Sequence, residues 1–182
     1  LALTLGGCDD PYPHPRFLGA GATTPRRGGT IHFAYDTDLP TLDPALVNDT
    51  LAGVPTRLIN EGLVRYASDS TQIIPALAER YEVSPDGRVY TFHLRPNARF
   101  SNGRAITADD HRYTWERLLH PHRLASPGAE NYRLVEGYDD FREGRAAHLA
   151  GLVTPDPMTV VLRLSAPDRT FLHTMAMTFT SV

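Results

Sequence analysis

Tyr81-Glu82-Val83-Ser84-Pro85-Asp86-Gly87-Arg88-Val89-Tyr90-Thr91-Phe92-His93-Leu94 is the stretch on which the fold class turns. After Arg88 the residues alternate: Tyr90, Phe92 and Leu94 share one face, and Val89, Thr91 and His93 share the other. That period of two marks a half-buried strand. Ser84-Pro85-Asp86-Gly87 is turn chemistry, because proline presets φ and glycine enters the left-handed region without steric cost. The stretch therefore predicts a β-hairpin that returns to Tyr81-Glu82-Val83. C-terminal to it, Thr107-Ala108-Asp109-Asp110 places a hydroxyl and carboxylates where the opening amides of a helix lack partners. Ala108, His111, Trp115, Leu118 and Leu119 then recur on one helical face up to Pro121, which predicts a helix over about 107–119.

Shorter signals lie further out. Asp43-Pro44 is a turn, and Leu51, Val54, Leu58 and Ile59 fall near helical spacing, with Pro55 expected to set the start of that short helix. Asn131–Arg145 reads as a second helix broken near Gly137, Thr159–Leu164 as a strand closed by Pro167, and Asp168–Met177 as helical. Gly28-Gly29 precedes Thr30–Tyr35, which alternates like a first strand. Prolines (15) and glycines (14) are spread among these elements rather than clustered, which indicates many turns and an α/β or α+β chain. The chain stops at Val182 without a terminal signal and is expected to be truncated there.

Composition narrows the function. With 182 residues, 41% apolar and 21% charged, the chain can bury a core as one domain or two small ones. A net charge of −3 argues against nucleic acid as a partner, since phosphate binding needs clustered Lys and Arg. No apolar run approaches the roughly 20 residues of a membrane-spanning helix. No nucleophile with a base, phosphate-cradling glycine loop or catalytic carboxylate pair is visible, so no enzyme is expected. Asp109-Asp110 suits the positive end of a helix dipole, and Asp139-Asp140 beside Arg142 and Glu143 suits a solvated face. His111, His120 and His122 lie near Glu116, but nine residues separate His111 from His120 and place them on opposite sides of a helix, so no metal or cofactor is expected. Trp115, Phe171, Leu172 and Met175 are read as core.

The chain opens Leu1-Ala2-Leu3-Thr4-Leu5-Gly6-Gly7-Cys8, an apolar run ending in small residues and the single cysteine. This resembles the bacterial lipobox, Leu-x-Gly-Cys, in which the thiol of the Cys is diacylated and the Cys becomes the mature N-terminus. Residues 1–8 are then a lipoprotein signal remnant cut short upstream, and Cys8 is the lipidation site. The resemblance extends to Asp9, which implies retention at the inner membrane. Residues 9–27, rich in Pro and Gly and without periodicity, read as a flexible tether.

Several blocks occur in a familiar order: Gly28-Gly29-Thr30, Leu42-Asp43-Pro44, Asn60-Glu61-Gly62-Leu63, Pro75-Ala76-Leu77-Ala78-Glu79 and the hairpin stretch. Phe100-Ser101-Asn102-Gly103, Trp115-Glu116-Arg117-Leu118-Leu119 and Ala125-Ser126-Pro127 follow. Over residues 28–182 the chain resembles the family 5 extracellular solute-binding proteins, and its Ala-Ser-Pro looks closest to the oligopeptide-binding branch. The resemblance implies an α/β, class II periplasmic-binding-protein-like fold that closes on its ligand as a hinged trap. This chain would be its N-terminal fragment: residues 28–60 start lobe I and residues 61–182 form an extra domain packed on it. The second lobe, which in the family carries the acidic partner of a peptide's amino group, would be absent.

The implied function is that of a peptide-capturing, periplasmic component of an ABC importer, a monomer anchored through Cys8 to the outer face of the cytoplasmic membrane and delivering cargo to permease subunits. In oligopeptide binders the segment after Leu-Asp-Pro runs beside the extended ligand and pairs with its backbone. Here that is Val47-Asn48-Asp49-Thr50. Family members often carry a ligand-touching Tyr after Ala-Ser-Pro, whereas this chain has Gly128, with Tyr132 one helical turn on. The candidate ligand-lining residues are thus Asn48, Asp49, Thr50, Gly128 and Tyr132. The departure at Gly128 keeps other cargo open: a nickel chelate, haem or an oligosaccharide. A surface lipoprotein serving adhesion or signalling is the reading from another class. Without a second lobe the chain is expected to be marginally stable or prone to aggregate.

Overall fold

The structure, a computed structural model, describes residues 38–120 and 126–182. The lipidation site Cys8, the tether, the strand expected at Thr30–Tyr35, and His122 lie outside the described residues.

The hairpin forms as its sequence dictates. Strands β3 (Ala78–Val83) and β4 (Val89–Leu94) pair antiparallel, with Val83 opposite Tyr90 and Tyr81 opposite Phe92. Gly87 turns the chain at φ +69°, and the Ser84 hydroxyl accepts from the Val89 amide at 2.8 Å. Tyr90, Phe92 and Leu94 are buried, the face that the alternation marks. β5 (Leu152–Asp156) and β6 (Thr159–Arg163) form a second hairpin, and β6 pairs with β4, giving an antiparallel sheet in the order β3-β4-β6-β5. A separate short ribbon joins β1 (Val64–Tyr66) to β2 (Ile73–Pro75).

Helix α2 (Ala108–Leu119) lies on β5 and β6. The Asp110 carboxylate accepts from the Thr107 backbone N–H at 2.8 Å, and Arg104 reaches the same carboxylate at 2.8 and 3.1 Å. The helix buries Ala108, His111, Trp115, Leu118 and Leu119, the face that the spacing marks. Burying a side chain as large as Trp115 or Phe92 contributes about 2–3 kcal/mol. Phe171 and Met175 join the same core from the short helix α4 (Phe171–Met175).

Two expectations change. The helix expected to start near Pro55 begins at Thr50: α1 (Thr50–Ile59) carries Pro55 inside it, because the Asp49 side chain accepts from Ala52 N–H at 2.7 Å and caps the helix upstream. The stretch Asn131–Arg145 is not one broken helix. It comprises a 3₁₀ turn at Ala129–Tyr132 and a five-residue helix, α3 (Tyr138–Arg142), separated by an isolated bridge from Val135 to Leu164.

Candidate functional site

The segment Asp43–Thr50 is held from three sides. Its Asp43 carboxylate meets both guanidinium ends of Arg117, with Nη1 to Oδ1 at 3.0 Å, and also accepts from the Ala45 amide at 3.1 Å. Arg117 therefore holds the Asp43 carboxyl below its ordinary range, and the pairing raises Arg117 in turn. The Ser126 hydroxyl donates to Ala45 O at 2.6 Å and accepts from Gly128 N–H at 3.2 Å, which ties the turn at Gly128 to the segment. At the far end Asp49 caps α1.

Between these ties the backbone is unoccupied. Among the described residues, no hydrogen bond is made by the main chain of Val47 or Asn48. Val47 buries its side chain while Asn48 is exposed, so the alternation of an extended segment is present, and Asp49 is extended at φ −128°, ψ 159°. Asp49 uses Oδ1 for its cap, and its buried Oδ2 has no hydrogen-bond partner among the described residues. Asp38, Pro40, Asp49 and Leu51 line a small cavity of about 370 Å³ beside it. Thr50 is exposed as the first helical residue, so only the part of the segment before it is free for strand-like pairing.

The remaining candidates part company. Gly128 is buried directly beneath the ring of Phe179, and a Cβ there would lie 2.4 Å from the ring. Tyr132 is fully buried in the core, not at a surface. Its ring meets Trp115 edge-on at 4.7 Å, and its hydroxyl donates to Thr174 O at 3.3 Å. Burial pushes its phenol far above the ordinary range, so it stays neutral. His111 is also buried, with neither ring nitrogen hydrogen-bonded among the described residues, and desolvation lowers its imidazole to about 4. His120 stacks edge-on with Phe141 at 6.2 Å. Arg117, Ser126 and Phe179 carry geometry that spacing did not assign, because each partner lies 51 to 81 residues away.

The model for bacterial extracellular solute-binding proteins, family 5 middle region, matches residues 72–182. The chain belongs to that family. Among its relatives, the dipeptide-binding protein DppE of Bacillus subtilis is 33% identical over 151 residues, covering 82% of this chain and 27% of DppE. Heme-binding protein A of Haemophilus influenzae is 29% identical over 192 residues, covering 99% of this chain and 34% of that protein. Of solved structures, the substrate-binding domain of an oligopeptide ABC transporter from Bacillus anthracis superposes with a TM-score of 0.74 at 29% identity, covering 82% of this chain and 29% of that one. Listeria monocytogenes OppA bound to peptide gives 0.73 at 27% identity, covering 79% and 28%. The chain thus spans roughly a quarter to a third of the length of these family 5 proteins.

Proposed function

We propose that this chain is the N-terminal part of a two-lobed solute-binding protein that captures peptides outside the cytoplasmic membrane and hands them to an ABC permease. The observation that carries the reading is the main chain of Val47 and Asn48, which makes no hydrogen bond among the described residues and is held in place by Arg117, Ser126 and the Asp49 cap. A backbone edge fixed at both ends can add a peptide strand without selecting its side chains, which suits a transporter that takes many sequences. The unpartnered Oδ2 of Asp49 offers an acceptor to a ligand N–H at the end of that edge. Peptide-binding names recur among the relatives, in Bacillus, Pseudomonas and Listeria.

In this reading residues 28–60 begin lobe I and residues 61–182 form the extra domain. Leu58 and Ile59 on α1, 70% and 64% exposed, support further protein packing there. Peptide contacts available only in the closed state shift the population toward closure, and no covalent step is involved. Cys8 is the proposed lipid anchor to the outer face of the cytoplasmic membrane in the periplasm, and the protein acts as a monomer.

A second cargo, haem, is favoured by one observation: similarity to a heme-binding protein extends over 99% of this chain. Thermal shift of the full-length, unlipidated protein against di- to pentapeptides, haemin, oligosaccharides and nickel chelates separates the cases. At 100 times its dissociation constant a ligand adds about 2.7 kcal/mol. A shift with peptides supports the reading; a shift only with haemin, sugar or metal keeps the fold and replaces the cargo. No shift with any of them favours a lipoprotein outside transport.

A further inference from the structure

Ser84-Pro85-Asp86-Gly87 and Phe100-Ser101-Asn102-Gly103 form turns built alike. In each the glycine takes a positive φ, +69° at Gly87 and +87° at Gly103, and its N–H donates to the carbonyl three residues back, at 2.8 and 2.9 Å. In each the side-chain Oδ1 of the preceding residue accepts from the amide two residues on, Arg88 to Asp86 at 3.3 Å and Arg104 to Asn102 at 3.0 Å. Asp86 and Asn102 are both exposed. They differ as electrophiles. The Ser84 hydroxyl and the Arg88 amide hold the Asp86 carboxyl below its ordinary range, so at neutral pH it is an anion that repels a nucleophile. Asn102 presents a neutral amide, and it is the one asparagine of the chain that precedes a glycine. The Arg104 N–H rests on the oxygen where negative charge would build if that amide were attacked, and the Arg99 guanidinium reaches Gly103 O at 3.1 Å, bringing a positive charge to the same turn.

We infer that Asn102 is a modification site, deamidating spontaneously through attack by the Gly103 nitrogen. Gly103 has no side chain to shield that nitrogen, and residues 101–105 are all exposed, so freeing its N–H from Phe100 O needs only a local opening of the turn. The freed N–H gives its proton to hydroxide. The nitrogen then attacks Asn102 Cγ: the N–Cγ bond forms, the Cγ–Nδ2 bond breaks, and Nδ2 takes a proton from water and leaves as ammonia. Water opens the resulting cyclic imide at either carbonyl, giving aspartate or isoaspartate. The isoaspartyl product lengthens the main chain by one carbon and displaces Arg104. That arginine lies 4.3 Å over the Phe100 ring and holds both oxygens of Asp110, whose carboxylate accepts from the Thr107 N–H at the start of α2. The modification therefore loosens the N-terminal cap of α2.

The test holds the full-length protein at mildly alkaline pH and follows each asparagine by peptide mapping with mass spectrometry. Asn102 should convert at least tenfold faster than Asn48, Asn60, Asn97 or Asn131, with isoaspartate among its products, while Asp86 gains no isoaspartate over the same interval. Asn102→Gln, which would have to close a larger and less favourable ring, should abolish conversion in that peptide. Conversion at Asn102 no faster than at the other four asparagines, or isoaspartate forming at Asp86 as fast as at Asn102, would overturn the inference. The isoaspartyl form, separated by anion exchange, should melt below the unmodified protein. An unchanged melting temperature would overturn the link to α2.

Discussion

Arg117, in the last turn of α2, grips Asp43 through both of its terminal nitrogens across 74 residues of sequence. The pair is about three-quarters buried on each side, so its hydrogen bonds are shielded from water more than those of a surface ion pair. Its effect is positional: Asp43 starts the turn that sets Ala45 against Ser126 and leaves Val47 and Asn48 extended.

Removing the guanidinium should therefore both destabilise and loosen the segment. Arg117→Ala is expected to cost about 2 kcal/mol, the range for a charged hydrogen bond lost with its partner left largely buried. Arg117→Lys should recover only part of this, since an ammonium cannot span both oxygens. Because the Asp43 carboxyl titrates lower in the folded protein than its ordinary 3.8, the contribution is present above that value and is lost as pH falls through the depressed one. Urea melts of both variants at pH 7 and pH 3 check it; equal differences at both pH values would contradict the assignment.

His111 gives an acid sensitivity at higher pH. The unfolded imidazole takes up a proton near 6.5, while the buried one does not until about 4, so the unfolded chain binds more protons in between. Stability should fall as pH drops from 6.5 to 4, by about 3 kcal/mol at most. His111→Leu removes two buried nitrogens that have no partner among the described residues and should flatten this limb while matching or exceeding the unmodified stability at pH 7. Thermal melts across pH 4–7 read both effects.

Tyr132 should behave as a core residue. Tyr132→Ala is expected to cost about 3–5 kcal/mol by leaving a cavity against Trp115, and Tyr132→Phe about 1 kcal/mol or less, since only the 3.3 Å bond to Thr174 is lost. Tyr132→Phe should leave ligand affinity within twofold by calorimetry. A larger change would return Tyr132 to the ligand site.

The apolar residues of α1 are expected to make the isolated 182-residue chain self-associate. Leu58 and Ile59 are 70% and 64% exposed and border a groove of about 770 Å³ that also takes in Tyr66, Met177 and Val182. Light scattering of the isolated chain should show association, relieved by Leu58→Glu with Ile59→Lys. A monomeric, cooperatively melting isolated chain would contradict this.

What was legible in the sequence follows from how local each cause is. The hairpin at Ser84–Gly87 and the helix from Thr107 were readable because their turn residue, cap and periodicity lie within a dozen positions. Pro55 misled because the upstream cap at Asp49 and the burial of Ala52, Gly53 and Thr56 act together to hold the first turns around it, a combination that spacing does not display. β1 and β2 are three residues each, too short for a period, and β5 carries a proline, Pro155, that argues against a strand. At the candidate site, the block Leu42-Asp43-Pro44 drew attention to the right segment. Its clamp by Arg117 and the seat of Phe179 on Gly128 depend on tertiary approach alone. Tyr132 was placed on a ligand face only by its distance from Gly128, and its burial against Trp115 reflects the turn of chain between them.

Hydrogen exchange of the full-length protein with and without a bound tripeptide tests the central claim most directly. Strand addition predicts that the Val47 or Asn48 amide, without a hydrogen bond among the described residues, slows at least tenfold on binding while the already bonded amides of β4 change little. Tight peptide binding with unchanged exchange at both residues would place the ligand elsewhere and contradict the account.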